Sequence, residues 1–169
     1  NYRAEADELF LAPGKAFAAA LGSINGARIY VAAMFCGMVA SALASARKYG
    51  LQRQTFGSSL HGHQGWRWIL AEAAAELDAA RAQVDVAARL IDTGSDARFA
   101  AAKCKVFATR MAERHLGALM QAMGADGLRD HHPLARHRIG MQMASLTDGS
   151  TQILLDRIAA NLASDKQQI

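Results

Sequence analysis

AFAAALGSINGARIYVAAMFCGMVASALASA, the stretch from Ala16 to Ala46, contains one charged residue, Arg28. Helix-favouring alanine dominates it, and its glycines are of the kind a helix tolerates. The pattern predicts a helix from Lys15 to Tyr49, with Gly50 following as the left-handed residue past its end. A helix apolar on all sides must be enclosed by other elements. The lone Arg28 then needs an anionic partner, because an unpaired buried charge is costly; a structural salt bridge or a snorkelling side chain is the simplest reading. Within this stretch the uncharged run Ile29 to Ser45 covers about 17 residues, at the lower edge of a membrane span. Its alanine, glycine and serine content favours the central helix of a bundle instead, with no membrane contact.

Outward from that helix the pattern continues. Trp66, Ile69, Ala73, Leu77, Ala80, Val84, Ala87 and Ile91 step by three and four, predicting an amphipathic helix from Trp66 to Thr93. Gly94 stops it. Ser95-Asp96 is the expected cap of a third helix reaching Met123, with Cys104, Phe107, Ala108, Met111, His115, Ala118, Leu119 and Ala122 on one side. A short helix follows from Pro133 toward Gln142, and a final one from Thr151 to Ala163. The expected fold is therefore all-α, an antiparallel up-and-down helical bundle. Residues 1–14 form an irregular lead-in and residues 15–169 the bundle domain.

Composition narrows the function classes. The 169 residues are 51% hydrophobic with only two prolines, and roughly a fifth are alanine, which argues against a sheet-rich or disordered chain. Cys36 and Cys104 stand far apart and set no disulfide framework, so a reducing, cytoplasmic setting is expected. A net charge of +4 allows an anionic ligand but not a nucleic-acid footprint, since the short basic groups lack interleaved aromatics. No Glu-x-x-His pair occurs, and the loop histidines His61, His63, His131, His132 and His137 read as solvated, so no metal is expected.

Three polar segments remain. Arg53-Gln54-Thr55-Phe56-Gly57, with Gln64 downstream, offers a guanidinium, a hydroxyl and open backbone suited to a pyrophosphate. The glycines of Gln121-Ala-Met-Gly124-Ala-Asp-Gly127 permit close backbone approach to a ligand. Asp148-Gly149-Ser150-Thr151-Gln152 opens a helix, where free N–H groups attract anions.

In this order and on this bundle, the three segments resemble the C-terminal domain of the acyl-CoA dehydrogenase family. RQTFG with the later Gln64 is similar to that family's R-x-x-F-G and downstream glutamine. QAMGADG is similar to Q-x-x-G-G-x-G, with Ala125 for a glycine and Leu128 for an aromatic, and LTDGSTQI to I-Y-E-G-T-x-x-I. The lead-in resembles the entry from that family's middle β-domain, so the chain is expected to be the C-terminal piece of a longer parent. Alone it would fold, bind FAD poorly and turn over nothing.

The resemblance implies roles. Arg53, Thr55, Phe56 and Gln64 would meet the FAD of a neighbouring subunit, and Gln121, Gly124 and Gly127 its adenosine end. Ser150 and Gln152 would contact the FAD of their own subunit. Asn25, Arg28 and Gly149 would lie at the acyl-CoA pocket. The family's base, the glutamate of Y-E-G-T, corresponds to Asp148. Branches that carry the base on the first bundle helix offer no substitute, because Lys15 to Gln64 holds no Asp or Glu. The implied activity is an oxidoreductase of fatty acid metabolism that dehydrogenates acyl-CoA thioesters. It would work as a homo-oligomer, dimer or tetramer, with an electron-transferring flavoprotein as possible acceptor. Two alternatives stand beside it: a nitroalkane oxidase-like flavoenzyme, which resembles this pattern and uses an aspartate at that position, and a non-catalytic assembly bundle.

Overall fold

In a computed structural model the chain is described over residues 5–163; residues 1–4 of the lead-in and 164–169 of the bundle lie outside the described residues. The described lead-in holds one 3₁₀ turn, Ala6–Glu8, and a left-handed Gly14 with φ of 83°. Five helices follow: α1 (Ala16–Gln52), α2 (Gln64–Asp92), α3 (Arg98–Ala122), α4 (Leu134–Leu146) and α5 (Thr151–Ala163). Helices α1, α2 and α3 pack on one another in all three pairings, α4 packs on α3 and α1, and α5 on α3. The expected all-α bundle is what forms.

The core is built from α1's Ala32, Phe35, Val39, Ala42 and Ala46, spaced by three and four and fully buried. They meet Leu77 of α2 and Met111, Leu116 and Leu119 of α3. Cys36 and Cys104 are free thiols in this core, and burial, with Cys36 nearby, pushes Cys104 up to about 12. Helix α1 is long and apolar enough to cross a membrane, but its buried stripe is the centre of the bundle. The expected enclosure on all sides is not met. Tyr30 is 71% exposed, and Ala33, Gly37 and Ala44 also face outward, because a single chain supplies packing partners for one side only.

Ends of α1, α3 and α4 differ from the sequence expectation. Gly50 does not end α1. It lies buried within the helix, and a Cβ there would overlap the Trp66 ring, so the glycine serves packing rather than chain reversal. The Trp66 indole N–H donates to Ala122 O at 3.0 Å, pinning the start of α2 to the end of α3. Helix α3 starts at Arg98, not at Ser95-Asp96. Asp96 Oδ1 accepts the Arg98 N–H at 3.0 Å and its carboxylate also grips the Arg98 guanidinium, which holds Asp96 at about 2. Helix α4 runs to Leu146, beyond the expected Gln142, because its later turns pack against α3.

Helix propensity alone makes Gly50→Ala stabilising by about 0.5–1 kcal/mol. Against the Trp66 ring the expected outcome is the reverse, a loss of about 1–3 kcal/mol by overpacking, read by urea unfolding. Phe35→Ala, which empties the centre of the core, should cost about 3–5 kcal/mol in the same measurement.

Candidate active site

The segment after α1 forms a small antiparallel hairpin, β1 (Gln54–Thr55) and β2 (Ser58–Ser59), with Thr55 opposite Ser58. Phe56 and Gly57 turn it with φ of 49° and 80°, the pattern of a two-residue I′ turn. A phenylalanine in that region is strained, and this one is entirely exposed. His63 organises the hairpin: its Nε2 lies 3.2 Å from Thr55 Oγ1 and the Thr55 carbonyl, and 3.3 Å from Ser58 Oγ. The Thr55 hydroxyl is thus engaged within its own chain. Arg53 and Gln64 flank the hairpin and are exposed.

Trp66 brings the second segment to the same end of the bundle. Gln121 is exposed on the last turn of α3, and a 3₁₀ turn, Gly124–Leu128, follows. Gly124 is left-handed, with φ of 58°. Gly127 is buried, and a Cβ there would stand 2.5 Å from Met120 O, so its own chain already requires glycine.

Of the loop histidines, His131 is exposed as expected, whereas His61, His63, His132 and His137 are partly buried. His61 lies against the Trp66 ring, and His132 Nε2 stands 3.1 Å from Asp126 Oδ2. His137, on α4, is held below its usual value by burial and by Arg136. His131 adds a third potential ligand to the Asp126–His132 pair, a grouping the sequence did not reveal. Arg129 takes up the other Asp126 oxygen at 3.3 Å, a cation where a metal would need a free carboxylate. On α3, His115 is buried, its Nε2 3.0 Å from Glu76 Oε2 but off the line of a hydrogen bond.

The third segment lies elsewhere. From Ala122 back to Lys105, α3 covers about 26 Å at its ordinary rise. Beside Lys105 the α4–α5 turn places Asp148 and Gly149 at φ of 53° and 101°. Aspartate enters the left-handed region more readily than most residues, and glycine freely. Ser150 and Thr151 are half-buried, Gln152 is exposed, and Ser150 Oγ accepts the Ile153 N–H at 3.5 Å.

Two buried cations hold this turn. Arg28 donates from Nε to Asp148 O at 2.9 Å and from Nη1 to Asn25 Oδ1 at 3.1 Å. Its partners are therefore a main-chain carbonyl and an amide, not the carboxylate salt bridge expected, because the turn presents its backbone to α1. Burial and the Arg157 charge pull the Arg28 guanidinium below its ordinary value, while Asp148 pulls it back. Lys105, only 1% exposed, donates to Ser145 O, Thr147 O and Gly149 O. Burial lowers it too, opposed by the Asp148 charge. Sequence reading missed Lys105, whose only local signal is its place between Cys104 and Val106 and which otherwise resembles the solvated Lys103 two positions before it. The Asp148 carboxylate is half-buried and accepts no hydrogen bond among the described residues.

Residues 14–163 match the family profile described as acyl-CoA dehydrogenase, C-terminal domain. The 3-sulfinopropanoyl-CoA desulfinase of Cupriavidus necator is 28% identical over 94% of this chain and 40% of its own length. An acryloyl-CoA reductase (NADH) of Anaerotignum propionicum is 32% identical over 89% of this chain and 38% of its own. Butyryl-CoA dehydrogenase from Megasphaera elsdenii superposes with a TM-score of 0.85 at 31% identity, covering 89% of this chain and 39% of that one. The chain thus spans about two fifths of the length of the curated relatives it matches. Likeness of this extent, in sequence and in backbone alike, fixes the lineage: the chain belongs to the acyl-CoA dehydrogenase family and carries that family's C-terminal domain.

Proposed function

We propose that this chain serves an FAD-dependent acyl-CoA dehydrogenase, with Asp148 as the base that takes the proton next to the thioester carbonyl. The observation that carries this reading is the state of Asp148: a half-buried carboxylate without a hydrogen bond among the described residues, on a turn tied down by Arg28 and Lys105. A carboxylate whose lone pairs are uncommitted and whose backbone is fixed can accept a proton from a bound molecule. FAD, when bound, supplies the hydride acceptor.

The residues present fit a dinucleotide shared between subunits. Exposed Arg53 offers a guanidinium to pyrophosphate, and strained, fully exposed Phe56 offers a ring whose edge-on contact with His63 leaves its faces open. Gln121 and the open backbone at Gly124 stand at the same end of the bundle, as the link from Trp66 to Ala122 requires. Ser150 and Gln152 serve the other end, beside Asp148, where Asn25, Arg28 and Gly149 border the acyl-CoA side. With the two groups some 26 Å apart along α3, one chain cannot close both around one cofactor. A homo-oligomer can, and the outward face of α1 at Tyr30, Ala33 and Gly37 suits its contact. An electron-transferring flavoprotein is the proposed acceptor, and the cytoplasm the proposed compartment.

Asp148 also supports a second reading, a nitroalkane oxidase-like enzyme. Its side chain is one methylene shorter than glutamate, a retreat of roughly 1.5 Å. A substrate with a more acidic C–H tolerates that better. Presenting the full-length flavoprotein with acyl-CoA thioesters and with nitroalkanes separates the two by which one bleaches the flavin.

In that protein Asp148→Asn should slow flavin reduction by about 10²–10⁴-fold, followed by stopped-flow absorbance; an unchanged rate removes Asp148 from the chemistry. Phe56→Ala should leave unfolding within about 0.5 kcal/mol of the parent, since the ring is fully exposed and meets only the His63 ring edge-on. FAD retention should meanwhile weaken about tenfold in equilibrium dialysis, equivalent to ~1.4 kcal/mol.

A further inference from the structure

We propose that Lys105 is a positioning residue for Asp148, a role that rests on the reading of Asp148 as the base. The ammonium has three donors and no acceptor. All three are committed to main-chain carbonyls that bracket Asp148: Ser145, Thr147 and Gly149. Ser145 lies in the last turn of α4 and Thr147 just beyond it, where carbonyls lack intrahelical partners and the helix dipole favours a cation.

Burying a lysine is costly unless it is fully bonded, and simple helix capping does not need a side chain reaching from another helix. What Lys105 adds is a link between the rigid α3 core and the peptide units on either side of the Asp148-Gly149 step, through Thr147 O before it and Gly149 O after it. Arg28 holds the carbonyl between Thr147 O and Gly149 O, Asp148 O, at 2.9 Å. The turn therefore has its backbone oxygens from Thr147 to Gly149 fixed from two helices, while the Asp148 side chain stays free to work.

The test uses the full-length, FAD-loaded protein. Lys105→Met keeps the length of the side chain and removes every donor. Flavin content and the KM for acyl-CoA should stay within about threefold of the parent, while the flavin-reduction rate falls about 10²-fold, as for a reacting group misplaced by about 1 Å. In an Asp148→Asn background the same change should cost less than about twofold, because the group being positioned is already gone. An equal fall in both backgrounds, or a loss confined to KM, overturns the positioning role while leaving Asp148 as base. An unimpaired Asp148→Asn protein overturns the base reading and this one with it. If Lys105→Met does not fold, Lys105→Gln, which retains a donor, must show the same kcat-selective loss at smaller size; failure of both variants to hold FAD makes Lys105 a fold residue only and rejects the proposal.

Discussion

Two buried cations, one on α1 and one on α3, cannot remain in an apolar bundle without a dense set of acceptors, and the α4–α5 turn is where they find it. Arg28 and Lys105 enter from different helices and end on consecutive carbonyls. Neither could be satisfied by the helices themselves, whose mid-helix carbonyls are taken. The chain between Ser145 and Ser150 must therefore fold inward and present its oxygens, which it does by placing Asp148 and Gly149 in the left-handed region. Helix α5 then starts where the turn leaves it, and its Leu154 closes against Ala102 and Val106 of α3. Satisfying the charges and shaping the turn are one event.

The fold was legible because its signals are local and repeated. A long uncharged stretch, then charges recurring between apolar residues at helical spacing, identifies the bundle without any tertiary information. Gly50 shows where such reading stops. Next to the polar 53–64 segment a glycine reads as a helix end, yet its reason is the Trp66 ring, sixteen positions on, and no local pattern encodes that contact. Enclosure of α1 fails for a related cause: periodicity reports that a face is apolar, not whether this chain or another covers it.

The site was legible as segments and not as geometry. The glycines, arginine and aspartate of the three segments stand out in the sequence, but Lys105 does not, since one lysine on an alanine-rich helix looks like a solvated residue. Its burial depends on a turn forty residues later. His63 is similar: it reads as one of several loop histidines, while in the fold its Nε2 gathers the hairpin that exposes Phe56. The separation of the segments was also beyond sequence reading. Which two share an end of the bundle follows from the Trp66–Ala122 hydrogen bond, a pairing across 56 positions.

The identity of residue 148 and the shape of its turn constrain each other. A left-handed backbone is easier for aspartate than for most side chains, which are bulkier near Cβ. The shortness of the aspartate side chain also draws the oxygens back from whatever lies in the pocket. A loose turn would lose twice, in reach and in alignment. Anchoring Thr147, Asp148 and Gly149 through their carbonyls removes the second loss and leaves only the first. The proposed chemistry can then tolerate aspartate wherever substrate is pressed close by the rest of the protein, or wherever the C–H to be broken is acidic enough to release its proton to a base that stands farther off.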